Sequence, residues 1–329
     1  MEPTSQQPTL SFTELLRRTF RLYRENFWTI IGLVAFVTIP VSLLNIIISP
    51  QQLSTLTVSA TDTPDMSVLL LSLLSLVEAI LITAPLTYLA SEYLFGRKVT
   101  ISEAFSGVSN RFTQIGCGIL FIGVVIGLLA VFIMFMVIAL PIALVLSGLF
   151  IHIIIATTAL MFPVLTLENI GATAALSRSW SLGKRRLWAA FGVGLITFLI
   201  ALLVSTVLGS IVTLVITTIV PGMNENVRYL IISLISDVVG IFITPISPIA
   251  FTLMYYNIRA TTEGLDDLLN AKSLSANRPI NLVSPVSRFQ FDTHDWRNIA
   301  ILSVIGLIVG IIGNGLIQQL IQQLAPGLK

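Results

Sequence analysis

Residues 171–192 read GATAALSRSWSLGKRRLWAAFG, a polar and basic segment that separates two of the most hydrophobic parts of the chain. Basic residues decide how the neighbouring apolar segments cross a membrane, because Lys and Arg accumulate in cytoplasmic loops. The segment itself has three interpretations: a ligand site, a helix that binds a partner, or the edge of a membrane. The rest of the sequence helps to choose among these interpretations.

The composition is that of an integral membrane protein. Of the 329 residues, 55% are hydrophobic and only 10% are charged, and the mean hydropathy is +0.94. Soluble domains carry about 25% charged residues, so this chain lacks the polar surface that water requires. Its single cysteine offers neither an internal disulfide nor a thiolate metal site.

The apolar segments have the length of membrane spans. A bilayer core about 30 Å thick requires about 20 apolar residues in a helix. On this criterion we predict an all-helical, polytopic protein. Its spans are expected at residues 27–49, 67–94, 113–137, 141–165, 187–219, 229–258 and 298–322.

The segment 187–219 is long enough for one tilted helix or for two cramped ones. One helix leaves only Arg228 and Lys329, of 18 basic residues, outside the cytoplasm. Two helices would move every basic residue from Arg259 to Arg297 to the outside, against the positive-inside rule. We therefore predict one helix, with the N-terminus in the cytoplasm and the C-terminus outside.

Three amphipathic helices are predicted, each just before a pair of spans. The first two begin with a capping box, formed by Ser11 with Glu14 and by Thr100 with Glu103. The third is the segment quoted above. We predict three repeats, each an amphipathic helix followed by a hairpin of spans, that build a six-span core. They cover residues 11–94, 100–166 and 171–262.

The segment at 171–192 is therefore first of all a helix on the cytoplasmic membrane interface. Its basic side chains would reach towards anionic lipid headgroups, and its tryptophans would anchor at headgroup depth. A specific site for a lipid headgroup or a partner protein is the alternative. The candidate contacts on this helix and on the first amphipathic helix are Arg17, Arg21, Arg178, Trp180, Lys184, Arg185 and Trp188.

Two carboxylates and one histidine lie well inside predicted spans, where ionisable residues are rare and functional by default. Glu78, His152 and Asp237 belong to the second span of each repeat, at a similar predicted depth. As one cluster they would bind a cation or relay protons. The alternatives are hydrogen bonds to Ser, Thr or Asn side chains within the bundle, or exposure to a water-filled vestibule.

Two segments follow the six-span domain, which covers residues 1–270. Residues 271–296 are polar, contain two prolines and lack a helical period, so we predict a cytoplasmic linker. Residues 297–329 form a seventh span. In it, Gly306 and Gly310 make a GxxxG motif that allows close helix packing, either on the core of the same chain or on a partner membrane protein.

Three stretches carry a family resemblance: LLRRTFRLYRENFWTIIG at 15–32, FPVLTLENIGATAALSRSWSLGKRRLW at 162–188 and MYYNIRATTEGLDDLL at 254–269. They resemble the bacterial glycerophosphoryl diester phosphodiesterase membrane-domain family. The chain departs from the family pattern at Asn257, where an acidic residue is expected, and in its C-terminal extension. The matching motif residues are Pro163, Val164, Glu168, Arg178, Ser179, Trp180, Trp188, Tyr255, Tyr256, Arg259, Glu263, Gly264 and Asp266.

The resemblance implies a protein of the bacterial inner membrane. In some members the membrane region is fused to a phosphodiesterase barrel, which needs paired histidines and clustered carboxylates for a divalent metal. Here the two histidines, His152 and His294, are far apart in sequence, and no polar segment is long enough for a barrel. We therefore expect the membrane region alone, without the hydrolase.

These observations favour a non-catalytic protein that binds no cofactor or metal. We expect a scaffold or accessory subunit that organises anionic lipids or partner proteins at the cytoplasmic face. The alternative is a transporter of a small solute or ion that uses Glu78, His152 and Asp237. The basic residues form short clusters at the membrane interface. They do not form a solvent-facing patch with interleaved aromatic residues, so nucleic-acid binding is not expected.

Overall fold

The computed structural model describes residues 10–48, 66–136, 140–168, 170–219, 222–263 and 289–324. These residues form helices, with no strand among them. Short 3-10 turns at 109–111 and 184–186 lead into the fifth and ninth helices. The helices are α1 (Phe12–Glu25), α2 (Phe27–Ile48), α3 (Met66–Leu94), α4 (Ile101–Val108), α5 (Phe112–Met136), α6 (Leu140–Thr158), α7 (Met161–Leu167), α8 (Ala172–Gly183), α9 (Leu187–Ile219), α10 (Glu225–Ile243), α11 (Ile246–Glu263) and α12 (Thr293–Leu324).

Within the described residues, five helical stretches are long and apolar enough to cross a membrane. The prediction of an all-helical chain with membrane-spanning helices is thereby confirmed. The predicted spans 113–137 and 298–322 fall largely on α5 and α12, and many of their side chains lie outside the described residues. The five stretches are Phe27–Ile48, Leu70–Leu94, Leu146–Leu167, Ala172–Ile216 and Leu230–Glu263.

Local sequence explains where the helices begin and break. The Thr100 side chain accepts from the backbone of Glu103, whose carboxylate accepts in return from the Thr100 backbone, which completes the predicted capping box of α4. The chain breaks between α10 and α11 at Pro245, because proline lacks a backbone donor and clashes with the preceding turn. The span predicted at 141–165 is likewise two helices, α6 and α7. In contrast, the residues 187–219 form one helix, α9, as predicted.

The long helices pack as a closed ring in the order α2, α3, α5, α6, α9, α10 and back to α2. The short helices α4 and α8 each pack on a long helix that precedes them, α3 and α6, while α1 packs on α11 from the far end of the chain. The C-terminal part of α3 meets α7 and α11 inside this ring, where Leu86, Leu165 and Leu253 are buried. The core therefore lies where three helix ends converge.

The C-terminal helix α12 packs antiparallel along α6. A Cβ atom at Gly148 would overlap the carbonyl of Ile299 and the side chain of Ser303, and one at Gly306 would meet the Ser147 hydroxyl at 2.9 Å. Glycine at these positions lets the two helix backbones approach closely. Gly306 of the predicted GxxxG motif thus faces the chain's own core, and the side-chain position of Gly310 lies outside the described residues.

The substitution Gly148→Ala tests this docking. Its methyl group would overlap backbone atoms of α12, so we expect the free energy of unfolding to fall by about 1–3 kcal/mol, measured by denaturation in detergent. Gly123→Ala on α5 is the matched control, because a Cβ there meets nothing within 4 Å. Equal stability of the two variants would contradict the close approach of α6 and α12.

Candidate functional site

Four charged side chains close a ring where α7, α8 and α11 meet. Glu168 follows α7, Arg178 lies on α8, and Arg259 and Glu263 lie one turn apart on α11. Arg178 donates to both oxygens of Glu168 at 3.2 Å and to both oxygens of Glu263 at 2.5 and 2.6 Å. Arg259 donates to Glu168 at 3.1 Å and to Glu263 at 2.8 Å. We call these four residues the charge ring.

Three of the four side chains of the charge ring are buried, the fourth, Glu263, is partly exposed, and the ring carries no net charge. Glu168 is 0% exposed, and Arg178 and Arg259 are 2% exposed each. The Tyr255 hydroxyl donates to Glu168 at 2.8 Å and accepts from Arg259 at 2.7 Å, so it bridges the two. A buried ion costs several kcal/mol unless it is paired and hydrogen-bonded, a requirement that these contacts meet. Chemically, the ring is a clamp that fixes α8 against α11.

The residues of the charge ring are among those that carry the family resemblance in the sequence. Glu168, Arg178, Tyr255, Arg259 and Glu263 come from two stretches that lie far apart along the chain, and the structure brings them into contact. The further motif residues at 264 and 266 lie outside the described residues. No family model, no curated protein and no solved structure matches the chain. The resemblance therefore rests on these motif residues alone.

Trp180 lies inside the protein, although it was a candidate for contact with lipid. Its side chain is 0% exposed and its indole donates to the Gln290 carbonyl at 3.2 Å. Phe289 stacks on it at a centroid distance of 4.1 Å, and Phe291 packs edge-on at 5.0 Å. Trp180 thus anchors the segment that leads into α12. Arg178 is buried too, so neither presents its side chain to the bilayer.

A second set of charges holds the start of α12. Asp295 accepts from Lys184 at 3.1 Å and lies 3.1 Å from the His152 Nε2 atom. Asp292 and Asp295 cap the helix by exchanging backbone-to-carboxylate hydrogen bonds. Lys184 also donates to Asp292 at 2.9 Å, and this hydrogen bond lowers the pKa of Asp292 below its usual range. These contacts fix α12 to α6 and α8.

The predicted layer of Glu78, His152 and Asp237 is divided in the structure. Glu78 accepts from Thr38 on α2 at 2.9 Å. His152 instead contacts Asp295 at the end of the bundle where α12 begins.

An open groove of about 720 Å³ lies at the end of the bundle where α9 and α12 begin. We call it the cationic groove, since four basic residues and two carboxylates line it. Lys184 is paired as described, and Arg186 donates to the Leu10 carbonyl at 2.5 Å. Arg185 and Arg297 are exposed, and no carboxylate of the described residues pairs with them. The groove is lined by Lys184, Arg185, Arg186, Asp292, Asp295 and Arg297, together with uncharged residues.

Trp188, another candidate for lipid contact, lines the cationic groove. Its side chain is 40% exposed, and its indole donates to the buried Asn298 amide oxygen at 3.0 Å. Two further tryptophans, Trp28 and Trp296, are more than half exposed and lie in the first turns of α2 and α12. Exposed tryptophans at helix starts are typical of a membrane–water interface.

Helix α1 lies at the same end of the bundle. Leu15, Thr19 and Leu22 are buried beneath it, whereas Arg17 and Arg21 are exposed on its outer side. Arg17 forms an ion pair with Glu14 at the surface of the helix. The predicted amphipathic character of this helix is therefore present in the packing.

A second groove, also of about 720 Å³, is apolar and lies deeper along the same helices. We call it the apolar groove. Ile155 of α6, Phe162 of α7, Phe198 of α9 and Phe251 of α11 are among its lining residues. Neither Glu78 nor Asp237 lines this groove or the cationic groove.

Sequence reasoning missed Asp295, which joins His152 to Lys184. A signal for its local role was present, because Asp292 and Asp295 precede an apolar run with the spacing of a capping box. Its contact with His152, 143 positions away, had no local signal. The pairing of Arg178 with Glu263 was missed for the same reason.

The charge ring predicts that Glu168→Gln is strongly destabilising. The change leaves two buried guanidinium groups with one carboxylate, and breaking a buried ion pair costs about 3–5 kcal/mol. We expect this loss in the free energy of unfolding of the detergent-solubilised protein. The double variant Glu168→Gln with Arg259→Gln restores neutrality and should lose less than the sum of the single variants.

Glu14→Gln is the control for this experiment, because Glu14 pairs with Arg17 and Arg18 of the same helix, whose side chains are exposed. We expect little change in stability from it. If Glu168→Gln were as mild as this control, the charge ring would not hold the fold together.

Proposed function

We propose that the protein is a non-catalytic integral membrane scaffold, or an accessory subunit, that gathers anionic lipids or a partner protein at the cytoplasmic face. One observation carries the proposal: the charges divide into a buried, mutually neutralised set and an exposed, unpaired cationic set. The buried set is the charge ring. The exposed set includes Arg21, Arg185 and Arg297, for which the described residues offer no carboxylate partner.

This division favours binding at the surface over chemistry in the interior. The four charges of the ring are occupied by one another, so none is available to a substrate. Trp28, Trp188 and Trp296 are exposed as well, and exposed tryptophans at helix starts suit a membrane–water interface. Cations near a membrane surface attract anionic lipids by about 1 kcal/mol each.

We propose a topology of six spans plus a seventh, in a bacterial inner membrane, with the cationic end in the cytoplasm. Three repeats, each a short helix before two long ones, would build the core. The packing supports this: α4 and α8 contact the second long helix of the preceding repeat, and α1 contacts α11 of the last one. The family resemblance, which is part of the same proposal, draws support from the meeting of its motif residues in the charge ring.

Fusions to reporter proteins test the topology. Green fluorescent protein at the N-terminus should fluoresce, since it folds in the cytoplasm, and alkaline phosphatase at the C-terminus should be active, since it needs the oxidising outside. A phosphatase fusion placed after Glu263 serves as the inside control and should be inactive. An active fusion there, or an inactive one at the C-terminus, would overturn the proposed orientation.

Extraction from native membranes in a mild detergent, followed by mass spectrometry, tests the scaffold function. We expect a protein partner in stoichiometric amount, or enriched anionic lipid. Arg185→Glu with Arg297→Glu should reduce either by about tenfold, because the reversed charges repel an anionic surface. Arg185→Lys with Arg297→Lys retains the charge and is the matched control. A protein that purifies alone and without enriched lipid would contradict the scaffold function.

Transport remains the second candidate, favoured by the position of Glu78 and Asp237 within candidate spans, where carboxylates are rare. A cation between two carboxylates would relieve their repulsion. Uptake into vesicles would then depend on pH and fall sharply in Glu78→Gln. Thr38→Val, which removes the hydroxyl that donates to Glu78, is the milder variant. If no uptake were measured and a partner protein co-purified, the result would favour the scaffold over the transporter.

A further inference from the structure

We propose that the cationic and apolar grooves together form one binding site for a single anionic phospholipid. The phosphate of the headgroup lies between Arg185 and Arg297, and an acyl chain lies in the apolar groove. This site rests on the proposed function and names the class of lipid that the cytoplasmic face binds. Charge complementarity commits it to a lipid, since the occupant must be anionic at one end and apolar at the other.

The cationic groove has a surplus of positive charge where a phosphate would sit. Its four basic residues face two carboxylates, Asp292 and Asp295, and both of these are already held by Lys184. Arg185 and Arg297 retain guanidinium donors with no carboxylate partner in the described part of the chain. Two arginines can bind a phosphate through several charge-assisted hydrogen bonds, which are about twice as strong as neutral ones.

The two grooves follow one another along the same face of α9. Trp188 lines the cationic groove, and Phe191, Leu195 and Phe198 line the apolar groove. Their spacing of three, four and three residues places these four side chains on one helical face. From Trp188 to Phe198 the helix rises about 15 Å, which is the length of much of an acyl chain.

Helix α11 borders both grooves near its two ends. Ile258 and Thr262 line the cationic groove, and Ser247 and Phe251 line the apolar groove. Between them Met254 and Tyr255 are buried, so the surface path from one groove to the other runs along α9. A molecule that follows α9 therefore passes from a polar end with basic residues to an apolar surface, as a phospholipid does.

The docked C-terminal helix supplies one wall of this site. Arg297 and Asn298 lie in the first turns of α12, whose position depends on the contacts of Asp295 with His152 and Lys184. The segment that departs from the family pattern thus completes the cationic groove. The six-span core alone would offer Arg185 without its counterpart.

Native mass spectrometry of the full chain in detergent tests the site. The probes are dioleoyl phosphatidylglycerol, which is anionic, and dioleoyl phosphatidylcholine, which is zwitterionic with identical acyl chains. We expect one phosphatidylglycerol per chain, retained about tenfold more tightly than phosphatidylcholine. Arg185→Gln with Arg297→Gln should abolish this preference. Arg24→Gln with Lys98→Gln removes two exposed charges that line neither groove, so it is the matched control and should preserve the preference.

A second pair of variants tests the apolar groove. Gly194 lines the groove and a Cβ there meets nothing within 4 Å, so Gly194→Leu fills the space without a clash. We expect retention of both lipids to fall about tenfold, because the acyl chain loses its place. Gly123→Leu, also in open space but on α5, should change nothing. Glycerol phosphate, a soluble headgroup without chains, should fail to displace the lipid.

The outcomes separate this site from the proposed function. Equal retention of the two lipids, equal effects of the groove and control variants, or displacement by glycerol phosphate would each overturn the lipid site. A partner protein that still co-purifies with the groove variants would then leave the scaffold intact. Selective lipid retention by a chain that purifies without any protein partner would support the lipid site and remove the accessory-subunit form of the proposal.

Discussion

The pairing of Arg178 with two glutamates is the interaction on which the rest of the structure depends. The guanidinium group of Arg178 donates from its Nε atom to Glu168 and from its two terminal nitrogens to Glu263. A single side chain therefore joins the end of α7 to the end of α11. Because both guanidinium groups and Glu168 are buried, removal of a partner leaves a buried charge that is not compensated. The fold therefore requires all four at once.

Helix α8 transmits this constraint to the C-terminal helix. While Arg178 faces the charge ring, Trp180 and Lys184 of the same region hold the segment that leads into α12. Gly183 leaves no room for a Cβ against the backbone of Ala156, which sets α8 tightly on α6. The segment expected to lie at the membrane surface is thus a central element, and α12 takes its position from it.

Periodicity and charge were enough to predict most helices, and they were not enough to predict the site. The positive-inside rule correctly chose one helix for 187–219. The amphipathic pattern placed Arg178 at the surface, because such a pattern assumes that a charged side chain seeks water. Its actual partners include Glu263, 85 positions away, and a local pattern contains no information about them. The contact of His152 with Asp295, 143 positions away, likewise has no signal in a local pattern.

Because the charges of the interior pair with one another, the arginines without a carboxylate partner lie at the surface. Arginines that have no internal partner, such as Arg185 and Arg297, border an open groove. One wall of this groove belongs to α12, which is held by its packing along α6 and by the contact of Asp295 with Lys184. Lys184 lies at the end of α8, the helix that Arg178 joins to the charge ring. A continuous series of contacts thus connects the buried charge ring to the exposed cationic groove. The position of the groove is therefore fixed by the packing of the core.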